Sequence, residues 1–574
     1  MNNEDVFFYQ KEIAHLYKIR EHFTRKFPKL APFLATDSKD PDIERIIENL
    51  AVLTAKIHQE MEHNIPYIAE SLLNIIAPNY TNPLPSLCLQ EFHLSEDSKA
   101  NKIIIPKGTQ IYSTPIKQTE CEFRTIYDVY LYPLEIKEAF IHTEKQYHIL
   151  NLELQINKAD LKICDIGLDC LHIYLGNELY TSSTLLLFMC HYLEEIKIIS
   201  PDTAESFRLN PSNVNPIGLD FTESCLHYDD LGFEAFSLIR EYFFIPEKFN
   251  FIKIDGLDIL KDTQGTRFNL QFKFNRFFPK NCIVRENLFS LGGTPIVNIF
   301  PKNAESIIND HTKDGYRIFV DRGHLDCYEV VQINQVKAHN SNSGRRILKN
   351  YHSFERFGFL ADNKEEFYAL SNKRNARGES YKEIAFFSNY SYNEIITIDA
   401  LCCNKNLPSK LKLGDIKNIK LQNVLTKNIT IPSEMRECNI DGTLLWRLVS
   451  ILSFNYQNIL SLSSFFWVLE SYSFINDKDN EQTYRLLKQS IINIESKSTY
   501  LIDESITKKG TLCIMSIKDS NFYSLGDVYK LGLVISKFFA SFVSINSFCE
   551  LKIKCVDSNE ILYYPATRGK KASL

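Results

Sequence analysis

In the stretch His148-Ile-Leu-Asn-Leu-Glu-Leu-Gln-Ile156, apolar and polar side chains alternate strictly from Leu150 onward. Leu150, Leu152, Leu154 and Ile156 fall on one face, and Asn151, Glu153 and Gln155 on the other. Successive side chains of a strand point to opposite faces, so the pattern predicts a half-buried strand in a sheet with one wet side. Near the far end of the chain, Cys549, Leu551, Ile553 and Cys555 alternate with Glu550, Lys552 and Lys554 and predict a second strand of the same kind. Between them, strand-like runs recur near 171–175, 251–255, 268–275, 296–300, 328–337, 394–403 and 510–517.

Helical periodicity frames this sheet-rich body. Ile43, Ile46, Ile47, Leu50, Leu53, Ile57 and Met61 follow the i, i+3, i+4, i+7 spacing of one helical face, and Asp40-Pro41 just ahead is a start signal. A second helical stretch over about 4–27 ends near Phe27-Pro28-Lys29, and Pro78, Pro83 and Pro85 close the helical region. A short helix is expected over 183–194. Leu445, Leu448, Val449, Leu452 and Tyr456 share one helical face, as do Leu531, Val534, Ile535, Phe538 and Phe542, with Thr443 and Ser524 at the N-cap positions. Pro106-Lys-Gly108 reads as a turn, and Asn340–Gly344 and Asn372–Gly378 as polar loops. The expected fold class is α+β, multidomain and β-rich. Its segments are a helical N-terminal region over 1–85, a β domain over 86–160, a mixed middle region of one or two domains over 161–430, and a C-terminal α+β domain over 431–574.

The 574 residues carry a net charge of −6, and the only compact basic cluster is Arg568-Gly-Lys-Lys571. Displacing counterions from nucleic-acid phosphates needs clustered Lys and Arg, so no nucleic-acid partner is expected. The fourteen cysteines form no CxxC pair and sit mostly in apolar runs, the behaviour of small buried hydrophobes. The polar start Met-Asn-Asn-Glu-Asp is no secretory signal, and no apolar run approaches the ~20 residues of a membrane span, so a cytoplasmic protein without direct membrane insertion is expected.

No phosphate-binding GxxxxGK[ST], no HExxH, no GxSxG elbow and no GxGxxG is present, so no cofactor or metal is expected. Two places remain for chemistry. Cys402-Cys403-Asn404-Lys405 places a thiol near a lysine, which lowers a thiol pKa where the cation lies close; the plainer reading is a packed strand end leading into a Leu-Pro turn. Arg240-Glu241 with Glu247-Lys248 sets carboxylates beside cations, and the plainer reading is an ion-paired helix end.

The same segments carry a resemblance. Ser237-Leu-Ile-Arg-Glu-Tyr-Phe-Phe-Ile-Pro-Glu-Lys-Phe249 is similar to a hallmark of the TssF family of type VI secretion baseplate subunits, through Arg240, Glu241, Tyr242, Phe243, Pro246 and Phe249. Leu401-Cys-Cys-Asn-Lys-Asn-Leu-Pro408 resembles a second hallmark, Leu-Cys-Thr-Asn-Arg-Asp-Leu-Pro. It keeps Cys402, Asn404 and Pro408 and departs at Cys403, Lys405 and Asn406; a lysine cannot copy the planar fork of an arginine. Pro295 and Asn298 in Thr294-Pro-Ile-Val-Asn-Ile-Phe300, and Trp446 and Asn455 further on, extend the likeness in collinear order over nearly the whole chain.

The resemblance implies a structural wedge subunit that assembles with TssG, TssE and TssK beneath the contractile sheath. A second TssF copy and the VgrG spike hub would be neighbours, in a cytoplasmic, membrane-docked baseplate. It implies no enzyme. The alternatives are a wedge protein of a related phage-tail-like injection machine, or a cysteine-dependent enzyme. The stripe Ile43, Ile46, Leu50, Leu53 and Ile57 is the candidate partner interface, with packing inside the chain as the other reading.

Overall fold

The computed structural model describes residues 82–225, 235–340, 344–351, 366–374, 380–387, 393–437, 461–472, 478–503 and 506–569, except Glu96 and Lys145, together with helical residues within 9–19 and 45–56. The chain divides into two compact units, Met1–Ile75 with Ile440–Ser450, and Ile76–Asn439 with Ile451–Leu574. In the first, the described residues are helical. Ala51 and Ala55, one turn apart, are buried there, whereas Leu50 and Leu53 are 45% and 58% exposed. Ile43, Ile46 and Ile57, the expected helix around Trp446 and Asn455, and its cap Thr443 lie outside the described residues.

The larger unit is α+β and strand-rich, and it grows outward from the strand read first. Tyr147–Ile156 lies in a five-stranded antiparallel sheet between Arg267–Phe274 and Leu134–Glu144, with Leu193–Ser200 and Glu205–Leu209 completing it. Register aligns Leu152 with Leu270 and Leu270 with Ile198, and Leu150 with Phe272 and Phe272 with Ile196. All six are buried. The wet face is drier than the alternation implies: Asn151 is buried and pairs with His142 Nδ1 at 2.6 Å.

The short helix runs over Leu179–His191, where 183–194 was expected, and Leu193 already belongs to the next strand. Its first turns hold Thr181-Ser-Ser-Thr184, residues of poor helix propensity with no apolar period. Burial of Thr181 to Met189 overrides that local preference. Phe188 of this helix stacks on Phe278 with ring centroids 3.9 Å apart and meets Phe274 of the sheet edge-on. The helix Leu525–Ser541 crosses its other side. Ser524 caps that helix as the sequence predicts, accepting from the Asp527 N–H. Tyr529 stacks on Tyr564 of a four-stranded sheet built from Ile491–Asp503, Ile506–Ile517, Phe548–Cys555 and Ile561–Arg568. Its two middle strands are parallel, with Leu525–Ser541 as the crossover.

A six-stranded sheet joins Leu87–Leu94, Gln110–Ser113 and Glu122–Thr125 to Gly293–Val297, Ile416–Ile419 and Val424–Asn428. Leu87–Leu94, Gln110–Ser113 and Glu122–Thr125 are thus completed by chain from beyond residue 290. Gly108, at φ +83°, makes the expected turn before Gln110. An eight-stranded sheet takes most of residues 300–403. The run expected at 296–300 is two strands, Gly293–Val297 and Phe300–Asn303, divided at Asn298. Asn372 to Arg374, expected in a loop, finish the strand Phe367–Arg374, with Asn372 opposite Lys382. Polarity there marks an exposed strand end, because cross-strand pairing supplies what propensity does not.

Candidate functional site

The two hallmark segments each hold a buried polar cluster. The helix Ala235–Phe244 carries Arg240, Glu241, Tyr242 and Phe243, and a 3₁₀ turn over Pro246–Phe249 starts at Pro246. Proline suits that first position because its missing N–H has no partner to lose. The turn folds Lys248 back onto Glu241, and the two side chains form an ion pair with 0% and 1% of their surface exposed. The other carboxylate oxygen accepts from Ser224 Oγ at 2.6 Å and from the Cys225 N–H at 2.7 Å. Burial disfavours the Lys248 ammonium, but the Glu241 carboxylate outweighs it and holds the lysine above its usual pKa. Tyr127 donates its hydroxyl to the Lys248 carbonyl, and Arg240 donates to the Asn82 carbonyl at 3.0 Å. Phe243 and Phe249 are buried beside this pair.

The second hallmark closes a different lock. Glu394–Cys403 is a strand whose alternation buries Cys402, and Asn404 follows it. Asn404 and Asn298, 106 residues apart, are both fully buried and face each other. Asn298 Nδ2 donates to Asn404 Oδ1 at 2.9 Å, and the Asn404 N–H donates back to Asn298 Oδ1 at 2.7 Å. Each also reaches Glu122: its carbonyl accepts from Asn298, and its N–H donates to Asn404. Pro295, three residues before Asn298, aligns with Leu89 in the six-stranded sheet. This pair therefore ties the six-stranded sheet to the end of the eight-stranded one. Asn404 Nδ2 also donates to the Cys327 carbonyl at 3.4 Å, so replacing Asn404 by Ala removes that donor and the acceptor of the Glu122 N–H, at ~1–3 kcal/mol for each group left unpaired. Urea unfolding of Asn404→Ala is expected to show a loss of about 2–3 kcal/mol, against a much smaller loss for the exposed neighbour Asn406→Ala.

Cys402 and Cys403 are both buried, which gives the thiol reading no support. Burial pushes the Cys402 thiol up to about 12 and the Cys403 thiol further still. The Lys405 ammonium points to Glu329 at 3.2 Å. Lys405 has φ +47°, a left-handed turn residue leading to the 3₁₀ turn Pro408–Lys410, with Pro408 buried. A strand end entering a Leu-Pro turn is what the structure contains. A cavity of about 30 Å³ beside Lys405 is lined also by Glu329, Lys382 and Tyr381.

Sequence reading missed a third polar cluster. Asp527 and Lys530 lie one turn apart on the otherwise apolar Leu525–Ser541 helix, 3.9 Å from each other and both buried. Ser183 Oγ donates to Asp527 at 2.5 Å, and Lys530 donates to Asn250 at 3.4 Å. Burial raises the Asp527 pKa and lowers that of Lys530. An acid and a base at i, i+3 inside an apolar helix was the available signal. Among the described residues, no three His, Cys, Asp or Glu side chains gather for a metal, and no helix is long and apolar enough to cross a membrane.

The sequence profile described as "Type VI secretion system, TssF" matches residues 1–571. The chain belongs to the TssF family. Type VI secretion system component TssF1 of Pseudomonas aeruginosa PAO1 is 24% identical over 626 aligned positions, covering all of both chains. The fold matches a chain of the TssK-TssF-TssG baseplate subcomplex solved by cryo-electron microscopy, with a TM-score of 0.78 and 20% identity, covering 92% of this chain and 99% of that one. It also matches a chain of the type VI baseplate complex with a TM-score of 0.61 and 18% identity, covering 99% and 100%. Membership of TssF makes this chain a component of type VI secretion, with the fold of a baseplate subunit.

Proposed function

We propose that this TssF chain is a structural wedge subunit of the type VI baseplate and performs no catalysis. In this reading it assembles with TssG and TssK, and with TssE, a second TssF copy and the VgrG hub as neighbours, in a cytoplasmic complex docked at the membrane. The observation that carries it is the fold shared, over 92% of the chain, with a subunit of the TssK-TssF-TssG subcomplex. The polar locks suit such a role. Buried, mutually satisfied side chains hold sheets in one arrangement under load, because any slip leaves unpaired groups in the core.

The N-terminal helix is the proposed contact with TssG. Leu50 and Leu53 lie largely exposed while Ala51 and Ala55 are buried, so part of the apolar stripe faces away from its own unit's core. Co-expression with TssG is expected to yield a stable complex of two TssF to one TssG by mass. Leu50→Asp with Leu53→Asp is expected to leave a folded chain that no longer retains TssG. Retention of TssG by the double variant would remove the helix from the interface, and a chain that stays alone beside TssG would remove the wedge reading.

A further inference from the structure

The stretch Pro408–Ile431 carries five lysines and a single aspartate, in a chain whose net charge is −6. It closes the six-stranded sheet, which ends in Ile416–Ile419 on one side and in Val424–Asn428 on the other. Gln90, fully buried, donates its amide to the Ile416 carbonyl at 2.8 Å and to Thr426 Oγ1 at 2.6 Å. The Ile416 N–H donates to Asn428 Oδ1 at 3.0 Å. These bonds bring the two end strands together. Ile416, Val424, Thr426 and Asn428 are buried, so by alternation Lys417 and Leu425 point outward, and both are exposed.

The adjoining turn is pinned to the same place. Asn428 Nδ2 donates to the carbonyls of Lys412 at 3.0 Å and of Thr430 at 2.9 Å, and the Asp415 carboxylate accepts from the Lys412 N–H at 2.8 Å. Leu413 and Ile431 follow the two carbonyls held by that one amide, and they are 61% and 63% exposed. A single exposed leucine is ordinary, but apolar side chains set together and rimmed by charge mark a contact with another molecule. Exposed lysines form that rim. Lys420 lies over the Tyr112 ring and Lys427 pairs with Glu91, which leaves Lys410, Lys412 and Lys417. Among the described residues no carboxylate pairs with any of these three, and Glu434, exposed beyond Ile431, reaches none of them.

We propose that this surface docks an acidic polypeptide segment of a partner subunit, whose carboxylates pair with Lys410, Lys412 and Lys417 while its apolar side chains cover Leu413, Leu425 and Ile431. This rests on the structural wedge reading. Uncompensated lysines call for an anionic partner, and the exposed apolar side chains call for one that offers apolar groups as well. A lipid surface fits less well, because three lysines fall short of the roughly four to eight of a headgroup-binding cluster. The hydrogen bonds of Asn428 and Asp415 hold the platform in place before the partner arrives, so little ordering cost falls on this side of the contact.

Zero-length carbodiimide cross-linking of the chain in its co-purified complex with TssG and TssK, read by mass spectrometry, tests this. Lys410, Lys412 and Lys417 are expected to join Asp or Glu side chains of one partner subunit. A complex that forms without cross-links from these lysines overturns the proposal. So do cross-links that run only to a second copy of this chain. Failure to form any complex overturns the wedge reading itself, and the proposal with it. Lys412→Glu with Lys417→Glu changes two exposed side chains and leaves the backbone bonds of the turn in place. It is expected to melt like the parent and to bind TssG and TssK at least tenfold more weakly, and parent-like affinity overturns the proposal. Sedimentation of the isolated chain with phosphatidylglycerol vesicles, lost in the same variant, would name a lipid surface as the occupant and overturn it too.

Discussion

Lys248→Met is expected to destabilise the larger unit by about 3–5 kcal/mol, the usual penalty for stranding one member of a buried ion pair. The methionine fills similar volume, so packing is nearly kept. What remains is the Glu241 carboxylate, 1% exposed, with only Ser224 and the Cys225 N–H to hold its charge. Glu241→Gln added to Lys248→Met is expected to recover most of the loss, because a neutral amide keeps an acceptor for those two donors. Urea unfolding, supplemented by exchange rates over 235–249, separates this local loss from unfolding of the other compact unit. The pH dependence has a definite sign. The folded-state pKa of Lys248 lies above its ordinary value, so the pair's contribution is complete below the unfolded value of ~10.4 and fades only as pH rises through the folded one. The contribution of the pair to the parent's stability is therefore expected to hold level from pH 6 to 9. A variant that unfolds like the parent would show the pair to be dispensable.

Gly526→Ala is expected to cost at least ~3 kcal/mol, at the upper end of overpacking effects. An added Cβ would sit 2.2 Å from the Ser183 carbonyl oxygen and 2.3 Å from its carbon. Both are backbone atoms of the Leu179–His191 helix, and no rotamer change removes them. The helices would have to move apart, which also pulls Asp527 from the Ser183 hydroxyl. Thermal unfolding and near-ultraviolet circular dichroism would register the loss. At Gly108 a Cβ meets nothing within 4 Å, so Gly108→Ala bears backbone strain alone. Similar losses at the two glycines would mean that the helix crossing is looser than the structure has it.

Strands with strict alternation were legible because one residue's hydrophobicity reports its own face. That is why Tyr147–Ile156, Phe251–Asp255 and Phe548–Cys555 fall where their patterns place them. Local signals failed where tertiary contact outweighs them. Thr181–Thr184 of the helix Leu179–His191 form a run of small polar residues, of which Ser183 meets Gly526 and Asp527, a contact that no window along the chain contains. Asn372 to Arg374 look like a loop until Lys382 and its neighbours pair with them.

The same division runs through the site. Sequence alone determined the strand-rich α+β class, the candidate hallmark residues and, through their collinear order, the family. Those are properties of residue type and spacing, carried along one dimension. Only the tertiary structure decided that Asn298 meets Asn404 and that Lys248 turns back onto Glu241. It alone sent Lys405 to Glu329, away from activating a thiol, and gave Lys530 its partner in Asp527. A buried polar side chain needs a specific partner to offset its lost hydration, and that partner is chosen by proximity in space, which residue order does not encode pair by pair.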